Sequence, residues 1–260
     1  MRLDHPTLRV SMLSQNGRTS RTSFDHYLQN VGHGRSTVVY VHGNRMDAGS
    51  AIKRALTVFR RTRACKRGGP IDWVIWSWPS EKEGMLVHDF RRKAHRTDAQ
   101  GLYLSWLLRE HVRHEVPTTL IGYSFGGRVI TGALHALAGG RLDGRRLPGE
   151  PVRGVAFDAG LVAPALGSDW LARRGQHGLA PKNLDRLVLL YNRRDAVLKR
   201  YWVLEKVRGV MALGYSGPTS FATRFDGSRL QVRARDCSPS VGRHHVELDY
   251  YQKACRAGSE

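Results

Sequence analysis

The 260-residue sequence predicts an α/β fold, a mostly parallel sheet with helices on both faces. Three observations carry that expectation. Short apolar runs recur at Val38–Val41, Ile71–Trp76, Thr118–Gly122, Val152–Asp158 and Arg186–Tyr191. They lack in–out alternation, which is the pattern of strands buried on both faces. Segments with apolar residues at helical spacing lie between most of them, so strand and helix alternate along the chain.

Residues 1–35 read as an entry region with antiparallel edge strands at Leu8–Met12 and Phe24–Leu28, turned at Asn16-Gly17. Ser36–Val41 is the first buried strand and ends abruptly at His42-Gly43-Asn44. A helix over Gly49–Arg63 aligns Ile52, Ala55, Leu56 and Phe59 before Gly68-Gly69-Pro70 breaks the chain. Ile71–Trp76 runs into Ser77-Trp78-Pro79, and a long helix over Asp89–His114 presents Leu102, Tyr103, Trp106 and Leu107 to the core. After Pro117 comes the strand Thr118–Gly122, then a helix from near Gly126 that stops at Gly139-Gly140. Val152–Asp158 and Arg186–Tyr191 are the next strands. Between them, Ala159–Asp185 is expected to form a short helical excursion, a small lid over the sheet's C-terminal edge. A helix at 197–208, a weak strand at Leu230–Arg235 and a final helix at Glu247–Ala257 complete one domain spanning 1–260. No repeat or long linker divides it.

Composition narrows the class. Hydrophobic content of 41% and charged content of 25% are ordinary for a globular protein. No apolar run approaches a membrane span, and the first residues lack the apolar core of a secretory signal. Cys65, Cys237 and Cys255 are odd in number and far apart, which argues against a disulfide framework or a zinc site and for a reducing cytoplasm. No metal or organic cofactor is expected. The formal charge of +20 is the abnormal quantity. Its basic residues are scattered in pairs such as Arg60-Arg61 and Arg145-Arg146, and eight of the 42 are lysines. That points to an arginine-rich composition, and no nucleic-acid-binding motif accompanies it. No specific nucleic-acid partner is expected.

The chemistry centres on Gly122-Tyr123-Ser124-Phe125-Gly126, a match to G-x-S-x-G. In this motif a serine sits on a sharp strand-to-helix turn with its hydroxyl exposed, and the glycines let neighbouring backbone approach. Ligands of such sheets bind beyond the carboxyl ends of the strands. His42-Gly43-Asn44, Trp78, Ser124, Asp158, Asn192–Asp195 and Gly242–His245 all fall at predicted strand ends, with Ser, Asp and His in that chain order.

Over about residues 36–255 the chain resembles the α/β-hydrolase family, most closely its serine esterases and lipases. The motifs are Val38–Asn44 (V-V-Y-V-H-G-N), Gly122–Gly127 (G-Y-S-F-G-G), Leu189–Asp195 (L-L-Y-N-R-R-D) and Val241–His245 (V-G-R-H-H). The resemblance implies a Ser-His-Asp triad acting on a small-molecule ester through an acyl-enzyme, with Ser124 as nucleophile. It puts the acid at Asp195, with Asp158 as the alternative, and the base at His245, with His244 as the alternative. It draws oxyanion donors from Phe125 and from Asn44 or its neighbour Arg45. Trp78, Trp170 and Met46 are the candidate pocket residues. His42 is read as a structural part of the oxyanion loop, and His88, His95, His111 and His114 as lying on solvated helix faces. Amide or thioester hydrolysis on the same fold is the nearest alternative. A non-catalytic binding protein, polyanion binding included, is the alternative from another class.

Overall fold

The computed structural model describes residues 8–14, 18–65, 69–82, 86–202 and 211–251. Two small strands, β1 (Val10–Leu13) and β2 (Thr19–Thr22), pair antiparallel as a separate sheet. Helix α1 (Phe24–Asn30) follows them. The main sheet holds β3 (Ser36–Val41), β4 (Ile71–Trp76), β5 (Thr118–Tyr123), β6 (Phe157–Val162), β7 (Leu184–Tyr191) and β8 (Gln231–Asp236). They are parallel throughout, in the order β4-β3-β5-β6-β7-β8.

Helices cover both faces, which is why β3 is buried from Thr37 to Val41. On one face Ala55 and Val58 of α2 (Ala48–Cys65) pack with Tyr40, joined by Trp73, Ile75 and Ile121. On the other, α3 (Leu86–Arg113) and α4 (Phe125–Leu137) bury Leu104, Leu108, Val129, Ile130 and Leu134 in one core with Val39 and Leu120. Every residue of α4 is buried, as expected for a helix clamped between α3 and the sheet. The strand order reverses between β3 and β5, because β4 lies on the far side of β3. Such a switch point opens a crevice beyond the strand ends. The loop after β3 and the turn after β5 both open there.

Several expectations change. Phe24–Leu28 is helical, because Ser23 caps His26 N–H at 3.0 Å and Asp25 sits in the first turn. Its apolar pair Phe24 and Tyr27, three residues apart, then faces Trp106 and His111. The fourth main-sheet segment is shifted: β6 begins at Phe157, not Val152. Val152 N–H bonds Leu137 O, and Gly154 takes a left-handed φ of 81° while its N–H bonds Lys182 O. With these N–H groups bonded outside the sheet, the segment does not join the ladder. Residues 163–179 form turns rather than a helix, and Ala180–Asn183 is a single 3₁₀ turn. Leu166, Trp170 and Leu171 from this stretch are buried in the main core. Of the helix expected at 197–208, Leu198–Arg200 form a 3₁₀ turn and Trp202 is helical, while 203–208 lie outside the described residues. The final helix is described over Glu247–Tyr251, and Asn16-Gly17 lies outside the described residues.

Candidate active site

Ser124 follows β5 and caps α4 with φ 52° and ψ −117°, a conformation that costs a β-carbon-bearing residue on the order of 1–3 kcal/mol. Its surroundings hold it there. Ser124 N–H donates to Val162 O, and its carbonyl accepts from Gly127 N and Ala165 N. Two glycines make the corner possible. A Cβ on Gly126 would fall 2.0 Å from Val41 O, and one on Gly122 would fall 2.7 Å from Gly127 N.

Two other loops bring side chains to the serine. His245 Nε2 lies 3.0 Å from Ser124 Oγ, and His245 Nδ1 lies 2.6 Å from Asp195 Oδ2. A carboxylate only accepts, so Nδ1 carries the hydrogen and Nε2 is left with a lone pair facing the hydroxyl. Asp195 is fully buried. Its other oxygen accepts the N–H groups of Val197 and Leu198, each at 2.9 Å, and Tyr250 Oη lies 3.4 Å from Oδ2. Tyr123, the residue before the serine, stacks on the His245 ring at 5.2 Å between centroids and donates its hydroxyl to His245 O at 2.9 Å. The imidazole is thus fixed at both nitrogens, on one face and through its own carbonyl.

The loop after β3 forms the opposite wall. A Cβ on Gly43 would stand 3.3 Å from Ser124 Cβ, so this backbone lies directly against the serine. His42 is buried beneath it and donates Nδ1–H to Gly43 O at 2.8 Å. Its Nε2 accepts Trp78 N–H at 3.1 Å, and Trp78 Nε1 donates to His42 O at 2.8 Å. Burial pushes the His42 imidazole down to about 4, which keeps it neutral, as this bonding pattern requires. Arg45 has φ 62° and donates its N–H to Ser80 O at 2.6 Å. Ser80 Oγ bridges Met46 N and Met46 O, while the fully buried Lys93 donates to Ser80 O at 3.0 Å. Both polar atoms of the Asn44 side chain are buried without a hydrogen-bond partner among the described residues.

Ser124, Asp195 and His245 are therefore brought together, with the backbone of Gly43 and Phe125 beside them. Asp158 is not. Because β6 starts later than expected, Asp158 is its second residue and pairs with Thr119 near the entering edge of the sheet. Four further residues at about 3.3 Å each put it roughly 13 Å from the end of its strand, and its carboxylate is forked onto Arg186. His244 points outward with its side chain 76% exposed, 4.0 Å from Asp249. Trp78 is buried against His42, and Trp170 is buried between the His177 ring and the Arg128 guanidinium. Met46, half-buried, is the pocket candidate of the three with substantial exposed surface. His111 is buried rather than solvated, bonded to Tyr27 Oη and Thr118 Oγ1. His95 and His114 are exposed as expected, and the His88 side chain lies outside the described residues.

Sequence reasoning missed Tyr123, Tyr250, Ser80 and Lys93. Tyr123 stood in plain view as the variable position of the elbow motif. Lys93 carried no signal, since it reads as one more charge on a long helix.

No family model matches the chain, and no curated protein matches it. Among solved structures it is similar to Thermogutta terrifontis esterase 2. The form phosphoramylated by tabun aligns at 15% identity over 86% of this chain and 80% of that one, with a TM-score of 0.38. The apo form aligns at 16% identity over 86% and 81%, with a TM-score of 0.37. The butyrate-bound form aligns at 14% identity over the same shares, also with a TM-score of 0.37. Superposition this loose has no bearing on function, and the α/β architecture rests on the sheet itself.

Proposed function

We propose that this protein is a serine hydrolase of the α/β-hydrolase type that cleaves a carboxylic ester of a small molecule. The reading rests on the continuous chain Ser124–His245–Asp195, at 3.0 and 2.6 Å, on the end of a strained elbow. A serine hydroxyl is a poor nucleophile until a base takes its proton, and here Nε2 is oriented to take it. Ser124 Oγ attacks the ester carbonyl as its proton passes to His245 Nε2. Asp195, buried and bonded to Nδ1–H, stabilises the imidazolium. His245 then returns the proton to the departing alkoxide, leaving an acyl-serine. Water repeats the sequence: His245 takes its proton, hydroxide attacks the acyl carbon, and Ser124 leaves with a proton from Nε2.

The developing oxyanion needs preorganised donors, each worth roughly 3–4 kcal/mol of barrier. Phe125 N–H at the head of α4 is one. For the second, Arg45 N–H is already bonded to Ser80 O, which favours the Asn44 N–H. None of these roles calls on a metal or cofactor. One domain carries the whole site, and the reducing cytoplasm is the proposed compartment.

Steady-state hydrolysis of p-nitrophenyl esters of increasing chain length tests the reading. Asp195→Asn and His245→Ala should each lower kcat by a factor on the order of 10⁴ with the fold intact, and the double variant should be scarcely worse than either. Additive losses, or full activity in either single variant, would refute it.

A further inference from the structure

The segments that supply Asp195 and His245 also carry a surface that is both apolar and basic. They form one unit: Asn192 Nδ2 donates to Gly242 O at 2.8 Å and Ala196 N to Arg243 O at 3.1 Å. On their outer side Val197, Trp202 and Val246 are 45%, 47% and 42% exposed. Two short segments, 192–202 and 242–246, thus hold three of the seven large hydrophobic residues exposed among the described residues. Arg194, Lys199, Arg200 and Arg243 stand exposed among them. The sole acid of residues 192–202 and 242–246 is Asp195, and it is turned fully inward.

We propose that this face docks the protein on an anionic phospholipid membrane surface, turning the mouth of the Ser124 site toward the lipid. The combination decides the partner. A nucleic acid would engage the cations and stack a base on Trp202 but leave Val197 and Val246 in water. A neutral apolar ligand would cover Val197, Trp202 and Val246 and strand the cations. An anionic lipid–water interface takes both, apolar side chains entering between headgroups while arginine and lysine meet lipid phosphates and carboxylates. Indole suits that boundary because its ring is apolar and its N–H is polar. The overall charge of +20 adds long-range attraction to an anionic surface. No helix among the described residues is long and apolar enough to cross a membrane. The consequence for chemistry, which rests on the hydrolase reading, is that the ester is one resident in the membrane. Docking itself does not rest on it.

The test uses the full chain carrying Ser124→Ala, so that binding is read without turnover. Protein is sedimented with sucrose-loaded vesicles of phosphatidylcholine alone or of phosphatidylcholine mixed with phosphatidylserine. Binding should appear on the mixed vesicles and fall with added salt. Lys199→Gln, Arg200→Gln and Arg243→Gln together should weaken it at least about tenfold, and Trp202→Ser alone by several-fold, with thermal melts showing that each variant folds. Should the triple variant not fold, Arg200→Gln alone serves, with a loss of about threefold or more expected. Absence of binding to mixed vesicles would overturn the proposal. So would equal binding to polyuridylic acid with no effect of Trp202→Ser, which would mark a general polyanion surface. An inactive wild type that still binds vesicles would refute the hydrolase reading and leave docking standing.

Discussion

Ser124 is held in its left-handed conformation by three backbone hydrogen bonds and two glycines, and His245 by Asp195, Ser124 and Tyr123. The loop across from them depends on a less obvious residue. Lys93 reaches from α3 to Ser80 O, the same carbonyl that takes Arg45 N–H, and Ser80 Oγ clips Met46 at both backbone atoms. Under the proposed mechanism Lys93 is a positioning residue for the Asn44 N–H. Lys93→Met leaves Arg45 N–H on the Ser80 carbonyl, and a thermal melt would check that the variant folds. The substitution should lower kcat roughly tenfold to a hundredfold, the scale expected when a donor shifts by about an ångström, with KM little changed. Steady-state kinetics on a soluble ester would check it, and a rise in KM alone would show that Lys93 serves binding instead. The sequence announced Ser124, Asp195 and His245 because a hydroxyl, a carboxylate and an imidazole at strand ends have few other reasons to coincide. It was silent on Lys93 because only the path of the Ser77–Ser80 loop decides whether that lysine is buried.

At the level of elements, the shifted start of β6 governs which acid meets His245. The run V-R-G-V-A-F-D satisfies the pattern of a buried strand, so the sequence places Asp158 at a strand end. Gly154 breaks that pattern through a left-handed φ that no periodicity reveals, and the ladder begins only at Phe157. β7 has no such interruption, so Asp195 falls just beyond its end, as expected. Asp158 and Arg186 then form a surface pair, with the Arg186 side chain 61% exposed. Asp158→Asn should therefore leave kcat within about twofold of wild type and scarcely move the melting midpoint, as exposed pairs contribute little. A loss comparable to that of Asp195→Asn would return the acid to β6. The segment 163–179 teaches a related lesson. Its place between two strands suggested a lid, but its apolar residues Leu166, Trp170 and Leu171 are buried in the core, and apolar residues carry no label for which surface they cover.

Across the whole molecule, buried ionisable groups set the response to pH. Burial lowers His42 and His111 to about 4, and lowers His135 and His177 as well. Their contribution to stability is complete above the ordinary histidine value and is lost as pH falls through their folded values. Glu247 runs the other way. Desolvation raises it to about 7 against the bonds from Tyr40 and Tyr251 and the charge of Arg54. Its contribution is complete below the ordinary glutamate value and is lost as pH rises through 7. Stability should accordingly peak near neutrality and fall on acidification. Relative to wild type, Glu247→Gln should gain stability between pH 5 and pH 8, by up to roughly 3 kcal/mol. Paired urea titrations at the two pH values would measure this, and a constant difference would show that Glu247 is ionised throughout.

The central claim, that Ser124 is the nucleophile activated by His245, is tested most directly by intact-protein mass spectrometry after treatment with a fluorophosphonate. Wild-type protein should gain one adduct, mapped by peptide sequencing to Ser124, and His245→Ala should acquire it far more slowly. Ser124→Ala should gain none. Equal labelling of wild type and Ser124→Ala, or an adduct mapped to any other residue, would contradict the account.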